Sequence, residues 1–257
     1  MRPPLNYLVH TLLVAPPPRD RAARYARTVT TGKTTTSRPS GSSRPERQRD
    51  PERTKAELLQ IATEVFAQDG YSGARVDEIA ERTSTTKRMI YYYFGGKEGL
   101  YLAVLENAYQ GIRAAEQGLD VTGLEPVAAI RRLAELTYDY HVEHPEFIRL
   151  VSIENIHRGE FIRRIDALRS IANPAAALID NILSRGRDDG SIRHDVDRID
   201  VHMMISSYCV FQVANQHTFG HLFGRDMGDE SMRPHHRAMI GDVIAAWVAT
   251  PLVTAPR

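Results

Sequence analysis

Residues 83–100, TSTTKRMIYYYFGGKEGL, constrain the fold of this chain more than any other segment. The hydroxyl groups of Thr85 and Thr86 can accept hydrogen bonds from the free backbone N–H groups at a helix start. The helix that they begin is predicted to run to about Tyr93. Two adjacent cations therefore lie in the first turn of a short helix.

The residues of this helix divide between two faces. Ile90 and Phe94 are four positions apart and share one face, which suits burial. Lys87 and Tyr91 lie beside each other on a different face. The pattern predicts a helix that packs through one side and presents a cation and an aromatic ring on another.

A second helix is predicted to follow at once. Gly95-Gly96 permits a tight reversal, and Lys97 then begins the next helix. A cation at a helix start opposes the helix dipole, so helix stability does not account for Lys97. A phosphate does account for it, because the backbone N–H groups of a helix start also attract phosphate.

Two more helices are predicted before this segment. Thr54–Gln68 repeats apolar residues with helical spacing and ends at Gly70, a suitable helix stop. Val76, Ile79 and Ala80 indicate a short second helix that ends near Arg82, about four residues before the third. Two helices, a short turn and a third helix form the helix-turn-helix arrangement, whose last helix enters the DNA major groove.

Residues 70–105, GYSGARVDEIAERTSTTKRMIYYYFGGKEGLYLAVL, resemble the DNA-binding domain of TetR-type transcriptional regulators. The resemblance extends over about Arg53 to Leu105. The family turn usually has Ala-Gly-Val where Thr83-Ser84-Thr85 stands here, and Arg88 replaces a small residue, which should alter the base preference. The strongest matches are Phe66, Gly70, Tyr71, Ile79, Ala80, Tyr91, Tyr93, Phe94, Lys97, Glu98 and Leu100.

The motif predicts a set of DNA contacts. Three consecutive tyrosines could instead be core and amphipathic surface, and Lys87-Arg88 could be a solvated face. The helix start before these residues and the cation after them favour DNA contact. Glu98 is interpreted as structural, at the start of its own helix. The predicted DNA-binding residues are Arg75, Thr86, Lys87, Arg88, Tyr91, Tyr92, Tyr93 and Lys97.

Charge is unevenly distributed along the chain. Residues 1–50 contain ten Lys or Arg and three Asp or Glu, a net +7 in a chain whose overall charge is +1, which leaves −6 for the rest. This segment is also rich in Pro, Ser and Thr, which predicts a disordered basic extension. The alternative is an inert segment that follows a misplaced start codon.

Composition excludes several classes of protein. No apolar run approaches twenty residues, so we expect a soluble chain with no membrane span. The single cysteine, Cys209, excludes an internal disulfide and is consistent with a reducing cytoplasm. The sequence has no glycine-rich phosphate loop, nucleophile elbow or HExxH motif, so we expect neither an enzyme nor a cofactor.

The chain beyond Lys97 is predicted to be helical throughout, because no segment alternates with period two. We therefore expect an all-α fold with four regions: a basic extension at 1–50, the helix-turn-helix domain at 51–98, a larger helical ligand-binding and dimerisation domain at 99–250, and a tail at 251–257. The predicted helices are Lys97 to about Glu116, Pro126–Glu143, Pro145–Ile156, Glu160–Ile171, Pro174 to about Arg187, Ile199–Phe223 and Pro234–Ala249.

The resemblance implies that the C-terminal helix pair forms a homodimer and that a pocket between the connecting helix and the middle helices binds an inducer. Residues 152–159 also place polar groups between apolar neighbours, and core packing is the alternative for each pocket residue. The predicted ligand-binding residues are Tyr109, Tyr138, His141, Phe147, Asn155, His157, Phe161 and Phe211.

Other regulators remain open alternatives. His217 and His221, four positions apart, allow a metal sensor, and Cys209 allows a redox sensor. An architectural DNA-binding protein would need no ligand. The residues favour a cytoplasmic, homodimeric repressor that binds a double-stranded DNA operator and responds to an unknown small-molecule effector.

Overall fold

The computed structural model describes residues 51–249, without the side chains of residues 169–175. The predictions for residues 1–50 and 251–257 lie outside this range. Within it, the chain forms only helices and connecting turns, which confirms the all-α prediction. No helix in this range is long and apolar enough to cross a membrane. The α-helices are α1 (Pro51–Gly73), α2 (Val76–Arg82), α3 (Lys87–Phe94), α4 (Lys97–Gln117), α5 (Pro126–Glu143), α6 (Pro145–Ile156), α7 (Asp166–Asp188), α8 (Arg198–Ala214), α9 (Gln216–Phe223) and α10 (Arg233–Ala249).

Helices α1 to α3 and the first half of α4 form a compact unit that we call the head. Its core consists of apolar side chains at helical spacing, among them Leu58, Phe66, Ile79 and Ile90, none of which has any exposed surface. The predicted stop in α1 is confirmed at Gly70, whose φ of 69° breaks the helix before a final turn to Gly73. Glycine adopts this left-handed conformation without a steric penalty.

Helix α4 connects the head to the rest of the described chain. Its first half is buried in the head core through Leu100 and Val104. In its second half, Ile112 packs with Phe147 and Ile148 of α6. One continuous helix therefore contacts both cores.

The second half of α4 and helices α5 to α10 form a second unit, which we call the effector domain after the ligand-binding role that the sequence predicts for it. Its main core joins α5, α7, α8 and α10 through residues such as Ile130, Ile182, Ile205 and Ile244. Arg233 and Arg237 of α10 form ion pairs with Asp139 of α5, and these ion pairs join the two helices.

Two predicted helix boundaries in this domain are wrong. The separate helices predicted at Glu160–Ile171 and Pro174–Arg187 are one helix, α7, which a short 3₁₀ helix at Ile162–Arg164 precedes. A proline inside a helix removes one backbone hydrogen bond and crowds the preceding turn, but it does not always end the helix. The helix predicted at Ile199–Phe223 is divided at Asn215, whose backbone (φ −103°, ψ 5°) leaves the helical region. Asparagine side chains favour such helix ends.

Candidate DNA-reading surface and effector site

The turn between α2 and α3 keeps its geometry despite its unusual sequence. Ser84 has a φ of 50°, the left-handed conformation that glycine adopts most readily, and it occupies the glycine position of the family turn. The Thr83 hydroxyl donates to the Ile79 carbonyl at 2.8 Å and is buried. This bond satisfies a carbonyl group at the end of α2. The turn therefore keeps its closed geometry, although Thr83-Ser84-Thr85 replaces the usual Ala-Gly-Val of the family.

Helix α3 begins where the sequence predicted, but without the predicted hydroxyl cap. Thr86 is the N-cap residue, with extended backbone, and its side chain accepts no capping hydrogen bond. The Met89 amide instead donates to the Thr86 carbonyl at 2.9 Å. The Thr86 hydroxyl, on an exposed residue, is therefore available to another partner.

The faces of α3 differ in exposure as predicted. Ile90 is completely buried, whereas Tyr91 and Tyr92 are 53% and 77% exposed. Lys87 and Arg88 are exposed in the first turn. Tyrosine rings carry a large apolar surface, so two of them exposed beside two cations form a surface suited to a binding partner.

The supporting residues of this surface have partners inside the head. Tyr93 is half-buried, and its ring meets the Tyr92 ring edge to face at 5.1 Å. The Lys87 ammonium lies 3.2 Å from a carboxylate oxygen of Asp77 in α2. Both side chains of this pair are about half exposed, so solvent screens the attraction. Asp77 limits the positions that Lys87 adopts without removing its charge from the surface.

Lys97 begins α4 as predicted and is held beside α1. Its Nζ lies 4.8 Å from the centre of the Tyr71 ring, and it donates to the Ser72 carbonyl at 3.4 Å. Partial burial lowers the pKa of Lys97 from its ordinary value of 10.5. Arg75 is exposed at the start of α2. These two cations therefore lie at the starts of the helices before and after α3.

Glu98 does not cap its own helix. No side chain caps the start of α4, and Glu98 forms an ion pair with Arg164 of the 3₁₀ helix. Glu98 therefore links the head to the segment that precedes α7, whereas the sequence predicted that it would act at the start of its own helix.

The predicted ligand-binding residues do not lie together. Tyr109, His141 and Phe147 meet, with the Phe147 ring 5.2 Å from Tyr109 and 5.6 Å from His141. Tyr138 packs 6.3 Å from Tyr208, and Phe161 packs against Tyr71 and Tyr101 in the head core. Three others face solvent, namely Asn155, His157 and the 44% exposed Phe211.

A buried group of polar residues lies between α4, α5 and α8, and we call it the polar cluster. Its ion pair joins Arg113 to Glu116, and Glu116 is 5% exposed. Both terminal nitrogens of Arg113 also lie 3.4 Å from His202 Nε2. The members of the polar cluster are Arg113, Glu116, Thr137, His141, His202 and Ser206.

The hydrogen bonds of the polar cluster define its histidine tautomers. A guanidinium only donates, so His202 Nε2 accepts from Arg113 and the neutral ring has its proton on Nδ1. That proton faces the Ser206 hydroxyl oxygen at 3.2 Å. His141 Nδ1 donates to the Thr137 carbonyl at 2.6 Å. Each ring is thus oriented by a specific partner.

Burial determines the ionisation of the polar cluster. Desolvation lowers the pKa of His141 and of His202, and the nearby Arg113 charge lowers both further. Desolvation raises the pKa of Glu116, although Arg113 opposes that effect. The cluster therefore holds neutral imidazoles beside a buried ion pair.

Sequence reasoning predicted His141 as a ligand-binding residue and missed the other five members of the polar cluster. The available signal was spacing. Glu116 follows Ile112 by four positions and therefore shares its buried face, while Arg113 is three positions before Glu116. A charge pair on an apolar helix face indicates a buried polar site.

Glu154 connects the end of α6 to the head. It is 3% exposed, and its carboxylate accepts hydrogen bonds from the Tyr101 hydroxyl at 3.0 Å and from the Phe161 and Ile162 amides at 3.2 and 3.0 Å. Tyr101 lies in the head core against Phe66. Glu154, one of the polar residues in the segment 152–159, therefore forms a fixed contact between the two cores.

Metal and redox sensing find little support in the described part of the chain. Residues 51–249 contain no group of three His, Cys, Asp or Glu side chains placed to hold a metal ion. Cys209 is 1% exposed, and burial raises the pKa of its thiol to about 12. A protonated, inaccessible thiol reacts slowly with oxidants.

Comparison with known proteins shows similarity over both units. A model of the tetR family of bacterial regulatory proteins matches residues 58–104, and a model of the tetracyclin repressor-like C-terminal domain matches residues 126–244. The HTH-type transcriptional repressor NicS from Pseudomonas putida is 33% identical over 190 residues, which cover 74% of this chain and 90% of NicS.

Two solved structures share the fold. The putative transcriptional regulator SCO4942 from Streptomyces coelicolor aligns with a TM-score of 0.59 and 21% identity over 77% of this chain and 99% of that one. A TetR family regulator from Marinobacter aquaeolei aligns with a TM-score of 0.61 and 17% identity over 78% and 97% of the two chains.

Proposed function

The chain belongs to the TetR family of transcriptional regulators, and on that premise we propose that it represses transcription as a homodimer that a small-molecule inducer releases from a palindromic operator. TetR family regulators bind DNA operators and are not enzymes, and the same holds for this chain. We place its action in the cytoplasm, where a bacterial regulator meets the chromosome.

The exposed surface of α3 is the observation that supports this proposal most directly. Arg88 has no hydrogen-bond or ion-pair partner within residues 51–249, and an arginine in a major groove can donate two hydrogen bonds to a guanine edge. Lys87, Tyr91 and Tyr92 share the exposed part of α3 and contribute further base or backbone contacts. Arg75, Thr86 and Lys97 flank the helix and bind phosphates, while Tyr93 supports Tyr92 from the half-buried side.

The outer faces of α8 and α10 support dimerisation. Met203 and Phe211 of α8 and Val243 of α10 are 58%, 44% and 50% exposed, although each helix is otherwise packed in the effector core. Helix α9 adds the exposed Leu222 and Phe223. Apolar surfaces on neighbouring helices suit a symmetric four-helix contact with a second copy.

We assign the inducer site to the polar cluster and to the adjoining rings of Tyr109 and Phe147. This site keeps Tyr109, His141 and Phe147 of the set predicted from the sequence. It omits the three exposed side chains, Phe161 in the head core and Tyr138, which is buried in the main core of the effector domain. A ligand that displaces His202 from Arg113 would move α8 against α4. Glu154 and Tyr101 then provide a fixed contact through which that movement reaches the head.

Selection from random DNA duplexes tests the repressor proposal. We expect the full chain to enrich a palindrome with two half-sites, and sedimentation of the complex to give two chains per duplex. If the chain binds the duplexes but no sequence is enriched, the result would favour the architectural alternative. Enrichment of a single half-site by one chain would contradict the dimer.

A thermal-shift screen tests the inducer site. Small polar aromatic compounds should include some that raise the melting temperature, and the same compounds should weaken operator binding. Ser206→Ala should reduce the shift, while Ser207→Ala on the exposed side of α8 should not. A compound that shifts both variants equally would place the site elsewhere, and a divalent ion that alone produces the shift would favour the metal sensor.

A further inference from the structure

A groove of about 430 Å³ lies where the head and the effector domain meet, and Phe147 is the one residue that it shares with the proposed inducer site. Thr63 of α1 forms one side, and the second half of α4 forms the floor. Tyr140 and His144 of α5 with Glu146 of α6 form the opposite side. We infer that this groove binds a planar aromatic cation, such as a protonated amidine or aromatic amine.

The aromatic wall of the groove is built for a flat ligand. The Tyr140 ring stacks on the His144 imidazole at 4.0 Å with an angle of 17° between their planes. Phe147 lies 6.5 Å from Tyr140 at 78° and completes the apolar side. Rings arranged in this way present both a face and an edge, the two contacts that another aromatic ring favours.

Tyr140 lies unusually close to the backbone of α4. A Cβ atom added to Gly111 would lie 2.3 Å from the Tyr140 hydroxyl oxygen, so the approach depends on glycine at this position. Burial raises the pKa of Tyr140, and the Glu146 charge raises it further. Glu146 therefore acts on the Tyr140 hydroxyl, which remains neutral.

Several polar atoms of the groove can accept hydrogen bonds. His144 Nδ1 donates to the Tyr140 carbonyl at 2.9 Å, so the neutral ring leaves Nε2 as an acceptor. The Gln110 amide nitrogen donates to Glu106 at 3.2 Å, which leaves its carbonyl oxygen as an acceptor. Glu146 is the one carboxylate in the lining, and the lining contains no lysine or arginine.

This combination selects the charge of the ligand. A carboxylate and two neutral acceptors suit a ligand that has several N–H donors and a positive charge. The aromatic faces add a cation–π attraction for the same charge. An anion would find no cationic side chain in the lining, and its charge would face Glu146. A bound ligand would touch both α1 and α5, so it would also bias the orientation of the head.

Calorimetric titration of the full chain with three isosteric probes tests the inference. Benzamidine is a planar cation, benzamide is its neutral counterpart and benzoate is an anion of similar shape. We expect benzamidine to bind about tenfold more tightly than benzamide and more tightly still than benzoate. Equal or tighter binding of benzoate would overturn the assigned ligand class, and no benzamidine binding at about 10 mM would overturn the site.

Three variants locate the binding. Glu146→Gln should remove the preference of the site for benzamidine over benzamide, and Gly111→Ala should weaken benzamidine by displacing the Tyr140 ring. Glu57→Gln, which removes one exposed carboxylate from α1 outside the groove, should change neither. Unchanged benzamidine binding in both groove variants would overturn the inference. Because the titration contains no DNA, its failure would leave the repressor proposal intact.

Discussion

Helix α3 and the polar cluster contain similar side chains in opposite surroundings. Arg88 is exposed in α3, whereas the Arg113 side chain is 13% exposed and paired with a buried carboxylate. The head thus presents its polar groups to an external partner on consecutive residues of one helix. The effector domain brings together polar groups from three helices and satisfies them internally. In the proposed function, the first site acts through what α3 exposes, and the second through the internal contact that a ligand replaces.

Breaking the buried ion pair between Arg113 and Glu116 should cause the largest loss of stability. Arg113→Met leaves the Glu116 carboxylate buried without its cation, so we expect the free energy of unfolding to fall by about 3–5 kcal/mol. Urea denaturation measures the change. The double variant Arg113→Met with Glu116→Met should recover most of the loss, because it removes both charges. A single variant as stable as the parent chain would show that the pair is solvated.

Removing the Tyr101 hydroxyl from its contact with Glu154, between the two cores, should cause the next largest loss of stability. Tyr101→Phe takes one of three donors from the buried Glu154 carboxylate, which should cost about 1.5–3 kcal/mol of stability. It should also reduce the change in operator affinity that an inducer produces. Tyr208→Phe, at a half-buried position of α8 outside the proposed inducer site, leaves Glu154 with its three donors and serves as the control. Full inducer response in Tyr101→Phe would contradict the role of Glu154 in transmitting the signal.

The head was predictable from sequence for a physical reason. Its signals are local, since helix starts, glycine stops and apolar spacing in residues 54–100 each depend on neighbours a few positions away. The limits of α2 and the starts of α3 and α4 were correct for that reason. The missing hydroxyl cap of Thr86 shows the limit of the method, because a residue type that can cap need not do so.

The buried polar contacts beyond the head were less predictable because they join residues that are distant in sequence. Arg113 and His202 are 89 residues apart, and Tyr101 and Glu154 are 53 apart. Residue type alone selected aromatic and polar side chains, and it could not separate Phe161, which belongs to the head core, from Phe147. The continuity of α7 through Pro174 was likewise beyond a rule that treats proline as a boundary.

Acid should weaken the effector domain. The pKa values of His141, His202 and His236 are lowered by burial, so the unfolded chain takes up protons that the folded chain excludes. Their contribution to stability is complete above the unfolded value of about 6.5 and is lost as the pH falls below it. The raised pKa of Glu116 acts in the opposite direction but is one group against three.

Denaturation at several pH values measures this effect. We expect the free energy of unfolding to fall between pH 7 and pH 5.5, by at most about 1.4 kcal/mol for each buried histidine, because pH 5.5 is one unit below the unfolded pKa. His141→Asn should make the dependence shallower, while His217→Asn on the exposed part of α9 should leave it unchanged. Stability that rises on acidification would contradict the neutral state of these rings.

Breaking the exposed ion pair between Lys87 and Asp77 in the head should cause the smallest loss of stability. Lys87→Met separates two side chains that are about half exposed, so the free energy of unfolding should change by less than about 1 kcal/mol. Thermal denaturation of Lys87→Met and Asp77→Asn measures it. A loss as large as that of Arg113→Met would remove the distinction between the two sites.

Titration of the Arg88→Ala variant with operator and with scrambled duplex tests the central claim, that the exposed face of α3 reads the bases. We expect a loss of about 1–3 kcal/mol on the operator and a much smaller loss on the scrambled duplex, with unfolding unchanged. Lys97→Ala is the matched phosphate variant, and it should weaken both duplexes alike and reduce the salt dependence. Equal losses on the two duplexes for Arg88→Ala would contradict base reading by α3.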